Sequence, residues 1–151
     1  MGSIPTRSFQ LKKRKEIGKI VTKKRIAIRS AKAKGRNFQN WVAEQISKLL
    51  EIPYGKDELI ASREAAQSGT DIRLIGKAKE LFNFAVECKA QETLSLYTWI
   101  IQAESNSKNN NWLLFHKKAR KSPIVIMGAE EFFKLVDKAI RYDNPDLDGG
   151  S

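Results

Sequence analysis

The chain has few of the residues from which many metal and cofactor sites are built. Its 151 residues include one cysteine, Cys88, and one histidine, His116. A single cysteine excludes an internal disulfide. The pair also excludes a zinc finger, because such a site needs several sulfur or nitrogen ligands. Any metal bound here must be held mainly by oxygen.

Long apolar runs and glycine-rich phosphate loops are also missing. No apolar run approaches the roughly 18 residues of a membrane span, and the N-terminus lacks the apolar stretch of a signal peptide. We therefore expect a cytoplasmic protein. No G-x-G-x-x-G motif occurs in the sequence, so neither nucleotide hydrolysis nor a dinucleotide cofactor is expected.

Acidic residues are nearly absent from the first quarter of the chain. Residues 1–36 contain 13 Lys or Arg and one acid, Glu16, whereas residues 37–151 contain 15 Lys or Arg and 16 acids. A basic arm on a near-neutral body indicates binding to a polyanion, either nucleic acid or an anionic membrane. The apolar residues of the arm are too sparse for a strong membrane-binding stripe. We expect DNA and no membrane, with a merely solubilising tail as the alternative.

The arm, residues 1–35, is predicted to be helical or disordered. The candidate DNA-binding residues are cations of this arm, of its junction with the body, or of a basic turn near residue 119. They are Lys12, Lys13, Arg14, Lys15, Lys23, Lys24, Arg25, Arg29, Lys32, Lys34 and Arg36, together with Lys117, Lys118 and Arg120.

Hydrophobic periodicity in residues 36–141 predicts one α/β domain, followed by a polar tail at 142–151. The predicted helices cover 37–50, 94–107 and 129–140, and the last is an amphipathic helix that closes the fold. The predicted strands cover 71–75, 82–89, 112–117 and 123–127, and residues 58–64 are a short strand or an irregular run. This order indicates a mixed sheet of about five strands flanked by helices. Residues 76–80 are expected to be a polar connection within an antiparallel hairpin, and Thr93 to cap the second helix.

The stretch FNFAVECK, residues 82–89, carries the most specific chemical pattern. Alternation along a strand places Glu87 and Lys89 on one face and Val86 and Cys88 on the other. The hairpin brings Asp71 opposite the Glu87–Lys89 end. Two carboxylates can hold a hard cation such as Mg²⁺, and a lysine can orient water or stabilise a developing phosphorane. Asp71 is equally compatible with a turn residue that caps the strand.

Two helical residues are weaker candidates. Glu44 lies at the flank of the apolar stripe of the first helix, where it can face either water or a cleft. Gln102 flanks the apolar face of the helix that follows the Glu-Lys strand. A solvated side chain is the ordinary alternative for each.

These residues resemble the PD-(D/E)xK nuclease superfamily and, within it, the small phage and archaeal-type Holliday junction resolvases. The pattern is carried by Glu44, by Asp71 in SGTDI, by Glu87 and Lys89 in VECK, and by the QAESN helix. KGRNFQNWV also looks like phage-encoded members of the group. The similarity covers about residues 35–140, and Thr70 stands where the family usually has proline before the aspartate.

The resemblance implies that Asp71 and Glu87 bind Mg²⁺ or Mn²⁺ with the backbone carbonyl of Cys88 as a further ligand. It also implies that Glu44 completes the shell directly or through water. Lys89 would position or activate the attacking water, and Gln102 would lie near the site.

The activity implied is that of a metal-dependent endodeoxyribonuclease that resolves four-way DNA junctions in recombination or repair. Two symmetric nicks require a twofold-symmetric homodimer. Two alternatives stay open. One is a nuclease of the same chemistry that acts on other DNA, of a restriction or repair type. The other is a non-catalytic basic DNA-binding protein.

Overall fold

A computed structural model describes residues 6–63, 68–108, 111–143 and 145. The chain divides into two compact units, Met1–Arg36 and Asn37–Ser151. Helix α1 runs from Arg7 to Leu50, and all of residues 7–34 are exposed. In the described residues, no helix combines the length and the apolar character needed to cross a membrane.

The second unit contains the end of α1, three more helices and a five-stranded sheet within the described residues. In chain order these are β1 (Ile60–Ser62), β2 (Ile72–Leu74), α2 (Gly76–Leu81), β3 (Ala85–Lys89), α3 (Leu96–Asn106), β4 (Trp112–His116), β5 (Ile124–Ile126) and α4 (Ala129–Asp143). The strands lie in the order β1-β2-β3-β4-β5, with β3 and β4 parallel and the other pairs antiparallel. The predicted α/β class with a mixed five-stranded sheet is confirmed.

The sheet is covered by α1 on one face and by α3 on the other. Phe38, Val42 and Ile46 recur every four residues on α1 and pack in one core with Val86, because residues four apart share a helix face. Trp99 and the rest of the second core pack on the opposite side. Parallel strands need a crossover connection, and α3 provides it between β3 and β4.

The β2–β3 connection differs from the prediction. The two strands are antiparallel, as predicted, but residues 76–80 belong to helix α2 and are not an irregular connection. The helix is held by Ala78, which is fully buried in the first core, whereas Lys77 and Lys79 are exposed. A single buried alanine among polar residues gives no apolar stripe, so the periodicity missed this helix.

Three other boundaries differ from the predicted ones. Residues 82–84 precede β3, and the rings of Phe82 and Phe84 pack against each other with centroids 5.3 Å apart. Helix α3 has Ser95 at its N-cap position, so Thr93 is not its cap. Strand β1 covers only Ile60–Ser62 of the run predicted at 58–64, of which Glu64 lies outside the described residues.

Helix α4 was predicted to close the fold through its apolar face, yet none of its residues is buried. Phe132 is 50% exposed and Phe133 is 67% exposed. Of the predicted tail, Tyr142 and Asp143 lie in α4, and most of the rest lies outside the described residues.

Candidate functional site

Asp71 is fixed where β2 meets β3. Its backbone N–H donates to the carbonyl of Val86 at 2.9 Å, and its Oδ2 accepts a hydrogen bond from the backbone N–H of Cys88 at 2.7 Å. The carboxylate therefore serves as the acceptor for a strand N–H. One backbone bond and one side-chain bond to the same strand hold Asp71 against the Glu87–Lys89 end of β3.

The backbone and the side chain of Cys88 have different surroundings. The N–H and C=O of one strand residue point to the same edge, so the Cys88 carbonyl faces the edge where Asp71 lies. The thiol packs in the core beneath α1. Burial, followed by the charge of Asp71, raises the pKa of this thiol far above its ordinary value. The group of Cys88 that is available to bind a metal ion is thus the carbonyl oxygen and not a thiolate.

Glu87 is a buried carboxylate next to another one. The side chain is 1% exposed. Burial first, and then the charge of Asp71, raises the pKa of Glu87 to about 7, while Asn106 and Lys89 act in the opposite direction. Two acids crowded in a buried place resist simultaneous ionisation. A cation that takes the place of the proton would relieve this repulsion.

Two amide side chains of α3 hold the charged residues of β3. Lys89 Nζ donates to Gln102 Oε1 at 2.7 Å, and Asn106 Nδ2 donates to Glu87 Oε1 at 2.8 Å. Two residues along a strand span about 6.6 Å, and four along a helix span about 6 Å. Helix α3 runs in the direction opposite to β3. Lys89, the later strand residue, therefore meets Gln102, the earlier helix residue, while Glu87 meets Asn106.

Asn106 was not singled out by the sequence analysis. A usable signal was present, because Gln102 and Asn106 are four residues apart on a helix that follows the E-x-K strand. Amides at that spacing lie on one helix face and can contact alternate residues of a facing strand.

Glu44 has a different partner. The hydroxyl of Tyr54 donates to Glu44 Oε1 at 3.1 Å. Partial burial and this hydrogen bond raise the pKa of Tyr54.

The described residues contain no group of three or more His, Cys, Asp or Glu side chains arranged to hold a metal ion. The arrangement thus brings together Asp71, Glu87, Lys89 and Gln102, and the part of Glu44 stays a prediction.

The candidate DNA-binding cations lie on the surface. Those from Lys12 to Lys34 are exposed on α1, and Arg36 is half-buried. The side chains of Lys117, Lys118 and Arg120 are exposed in the turn after β4. The backbone N–H of Lys117 donates to the carbonyl of Lys89 at 2.9 Å, so this turn begins beside the strand that carries the candidate site.

Comparisons of the chain with protein-family models, with curated proteins and with solved structures give no match.

Proposed function

We propose that this protein is a metal-dependent endonuclease that hydrolyses phosphodiester bonds in four-way DNA junctions, as the resemblance to PD-(D/E)xK Holliday junction resolvases implies. The observation that carries the proposal is the joint placement of Asp71, Glu87 and Lys89. Two adjoining carboxylates and a lysine are the minimal set for metal-assisted phosphodiester hydrolysis.

The donor set fits Mg²⁺ or Mn²⁺. The carboxylates of Asp71 and Glu87 and the carbonyl of Cys88 are hard oxygen donors, which these cations prefer. When bound, the cation would polarise the phosphodiester and lower the pKa of a water molecule. The part of Glu44, as a direct or a water-mediated ligand, is proposed on the resemblance alone.

The remaining side chains would position the reacting groups. Lys89 Nζ carries a positive charge beside the two carboxylates and would orient water or stabilise the negative charge that develops on the phosphate. Gln102 accepts a hydrogen bond from Lys89 and limits where its ammonium points. Asn106 fixes the Glu87 carboxylate through its amide. Both amides act through another residue and are positioning residues.

The proposal includes a twofold-symmetric homodimer, because resolution of a junction needs two related nicks. Helix α4 supports this: its apolar residues Phe132, Phe133 and Leu135 are 42–67% exposed. The charged flank of α4 is self-complementary. Glu131 and Lys138 are seven residues apart, hence nearly in phase. In an antiparallel pair of α4 helices, Glu131 of each copy, which pairs with Lys134 of its own helix, would also face Lys138 of the other copy.

Cleavage of labelled DNA tests the function. The parent chain is incubated with a four-way junction, and separately with a linear duplex of the same sequence, in Mg²⁺, in Mn²⁺ and in EDTA. We expect metal-dependent nicks in the junction only. Asp71→Asn and Lys89→Ala should each lose cleavage by more than about 100-fold while still binding the junction.

The outcomes separate the alternatives. Equal cutting of the linear duplex would show a nuclease that acts on other DNA. Binding without cutting in both metals would indicate a non-catalytic DNA-binding protein. We also propose that the protein acts in the cytoplasm, or in that of the host if the protein is phage-encoded.

A further inference from the structure

A basic cleft lies beside the candidate site and carries none of the DNA-binding residues proposed from the sequence. It encloses about 390 Å³ next to β2 and the start of β3. Four cations line it: Arg63, Arg73, Lys79 and Lys108. None of its described lining residues is acidic. Such a cleft attracts anions, although the total charge of the unit is nearly balanced.

The cleft adjoins the carboxylate pair through shared residues. Asn106 lines the cleft and also donates to Glu87 Oε1. Thr70 lines it as well and directly precedes Asp71. Arg73 lies between Ile72 and Leu74, whose side chains pack in the core beneath α1. Alternation therefore directs Arg73 to the other face of the sheet, where Glu87 meets α3.

The two arginines are held in place without losing their charge. Arg73 Nη2 donates to the carbonyls of Lys56 and Glu58 at 2.8 and 3.1 Å. Arg63 Nη1 donates to the carbonyl of Ser68. Among the described residues neither guanidinium has a carboxylate partner. The Nε of Arg63 is buried and has no hydrogen-bond partner in the part of the chain that the structure describes. Unsatisfied buried donors are rare and costly.

Gly69 makes room for the Arg63 guanidinium. It has a φ of +104°, and a Cβ added there would lie 3.0 Å from Arg63 Nη1. A side chain at this position would therefore be strained in its backbone, and the guanidinium would have to shift to admit it. The glycine thus helps to keep the Arg63 side chain in the lining of the cleft.

We propose that this cleft binds a phosphate group of a DNA strand next to the phosphodiester that reaches Asp71 and Glu87. The inference rests on the proposed function. Arg63 and Arg73 supply fixed, charged N–H donors that match phosphate oxygens, and Lys79 and Lys108 add mobile positive charge. Phosphate binding in the cleft would hold the cleaved DNA strand in position, whereas the cations of α1 would supply general affinity for DNA.

Junction binding in EDTA tests the cleft independently of cutting. Lys79→Gln/Lys108→Gln is compared with Lys48→Gln/Lys77→Gln, which removes two exposed lysines that do not line the cleft. Fluorescence anisotropy with a labelled junction at several salt concentrations gives affinity and salt slope. We expect the cleft variant to bind about tenfold more weakly than the control and to have a salt slope lower by about 1–2. Equal values in the two variants would overturn the proposal.

A second pair of variants leaves the net charge unchanged. Gly69→Ala should strain the backbone, shift the Arg63 guanidinium and weaken junction binding, while Gly128→Ala has no atom within 4 Å of the added Cβ and should bind like the parent. Circular dichroism confirms that both variants fold. Equal binding by the two folded variants would contradict the role of Arg63. A parent that binds the junction through this cleft but never cuts it would refute the proposed function and leave the cleft supported.

Discussion

The candidate site and the basic arm use charge in opposite ways. Glu87 is 1% exposed, lies against Asp71 and is held by Asn106. Residues 7–34 are all exposed, and the charges among them are solvated. Buried charge is costly but acts strongly on a reacting group, whereas exposed charge costs little and is screened by salt. Chemistry is therefore expected to depend on the buried site, and affinity on the arm.

Removing the arm is the most direct test of whether DNA affinity depends on it. A chain that begins at Gly35 lacks 12 of the 28 Lys and Arg residues, so far fewer counterions are released on binding. We expect junction affinity at 50 mM salt to fall by about 100-fold or more, with a flatter salt dependence. The cleavage rate of the bound complex should be nearly unchanged. An unaltered salt slope would contradict the role of the arm.

The buried carboxylate of Glu87 predicts an unusual effect of pH on the stability of the folded chain. The pKa of Glu87 is about 7 in the folded chain, against an ordinary value of 4.5. Between these values the folded state keeps a proton that the unfolded chain releases, so stability is lost as pH rises through 7. The loss is on the order of 3 kcal/mol at most.

Urea unfolding in EDTA at pH 4.5, 6 and 8 measures this effect, with Glu87→Gln as the comparison. The glutamine variant should lack the part of the pH dependence that Glu87 causes. Parallel pH profiles for the parent and the variant would show that the folded state does not raise the pKa of Glu87.

Helix α4 differs from both the candidate site and the arm, because it exposes large apolar side chains as well as charged ones and is the proposed dimer contact. Phe132→Ser/Phe133→Ser should weaken self-association by about 30-fold if these side chains are central to the dimer. Analytical ultracentrifugation over a range of concentrations measures the dissociation constant. Tyr97→Ser/Ile101→Ser on α3, where the two residues are 80% and 65% exposed, is the matched control. Equal dimerisation of both variants would exclude α4 as the interface.

The smallest expected effect concerns the amides that link α3 to β3. Asn106→Ala and Gln102→Ala should each lower the cleavage rate by about tenfold, as the loss of a positioning residue does. Only Asn106→Ala should also move the pH profile upward, because the hydrogen bond from Asn106 lowers the pKa of Glu87. Ser105→Ala, on the same helix, is the control. Identical pH profiles for Asn106→Ala and the parent would argue against this contact.

Part of this arrangement follows from local sequence. The antiparallel pairing of β2 and β3 and the buried face of α3 are periodicity effects, and residues 71 and 87–89 meet because the strands are adjacent. Helix α2 and the direction of Glu44 depend on tertiary packing. Ala78 is buried by distant residues, and the partner of Glu44 is Tyr54, ten residues later.

The exposure of α4 was also beyond local reasoning. A strong apolar stripe predicts that a helix packs on something but does not say on what. Sequence alone assigned that stripe to the core of the same chain, whereas Phe132 and Phe133 remain on the surface. Periodicity thus identifies the apolar face of α4 but does not show what covers that face.

The contacts between β3 and α3 determine when the candidate site can form during synthesis of the chain. Asp71 and Glu87 leave the ribosome before Gln102 and Asn106, the residues whose amides hold Lys89 and Glu87. A nascent chain that stops short of Asn106 carries both acids without the amide that secures Glu87. The candidate site is therefore completed only after α3 has been made and has folded back on β3.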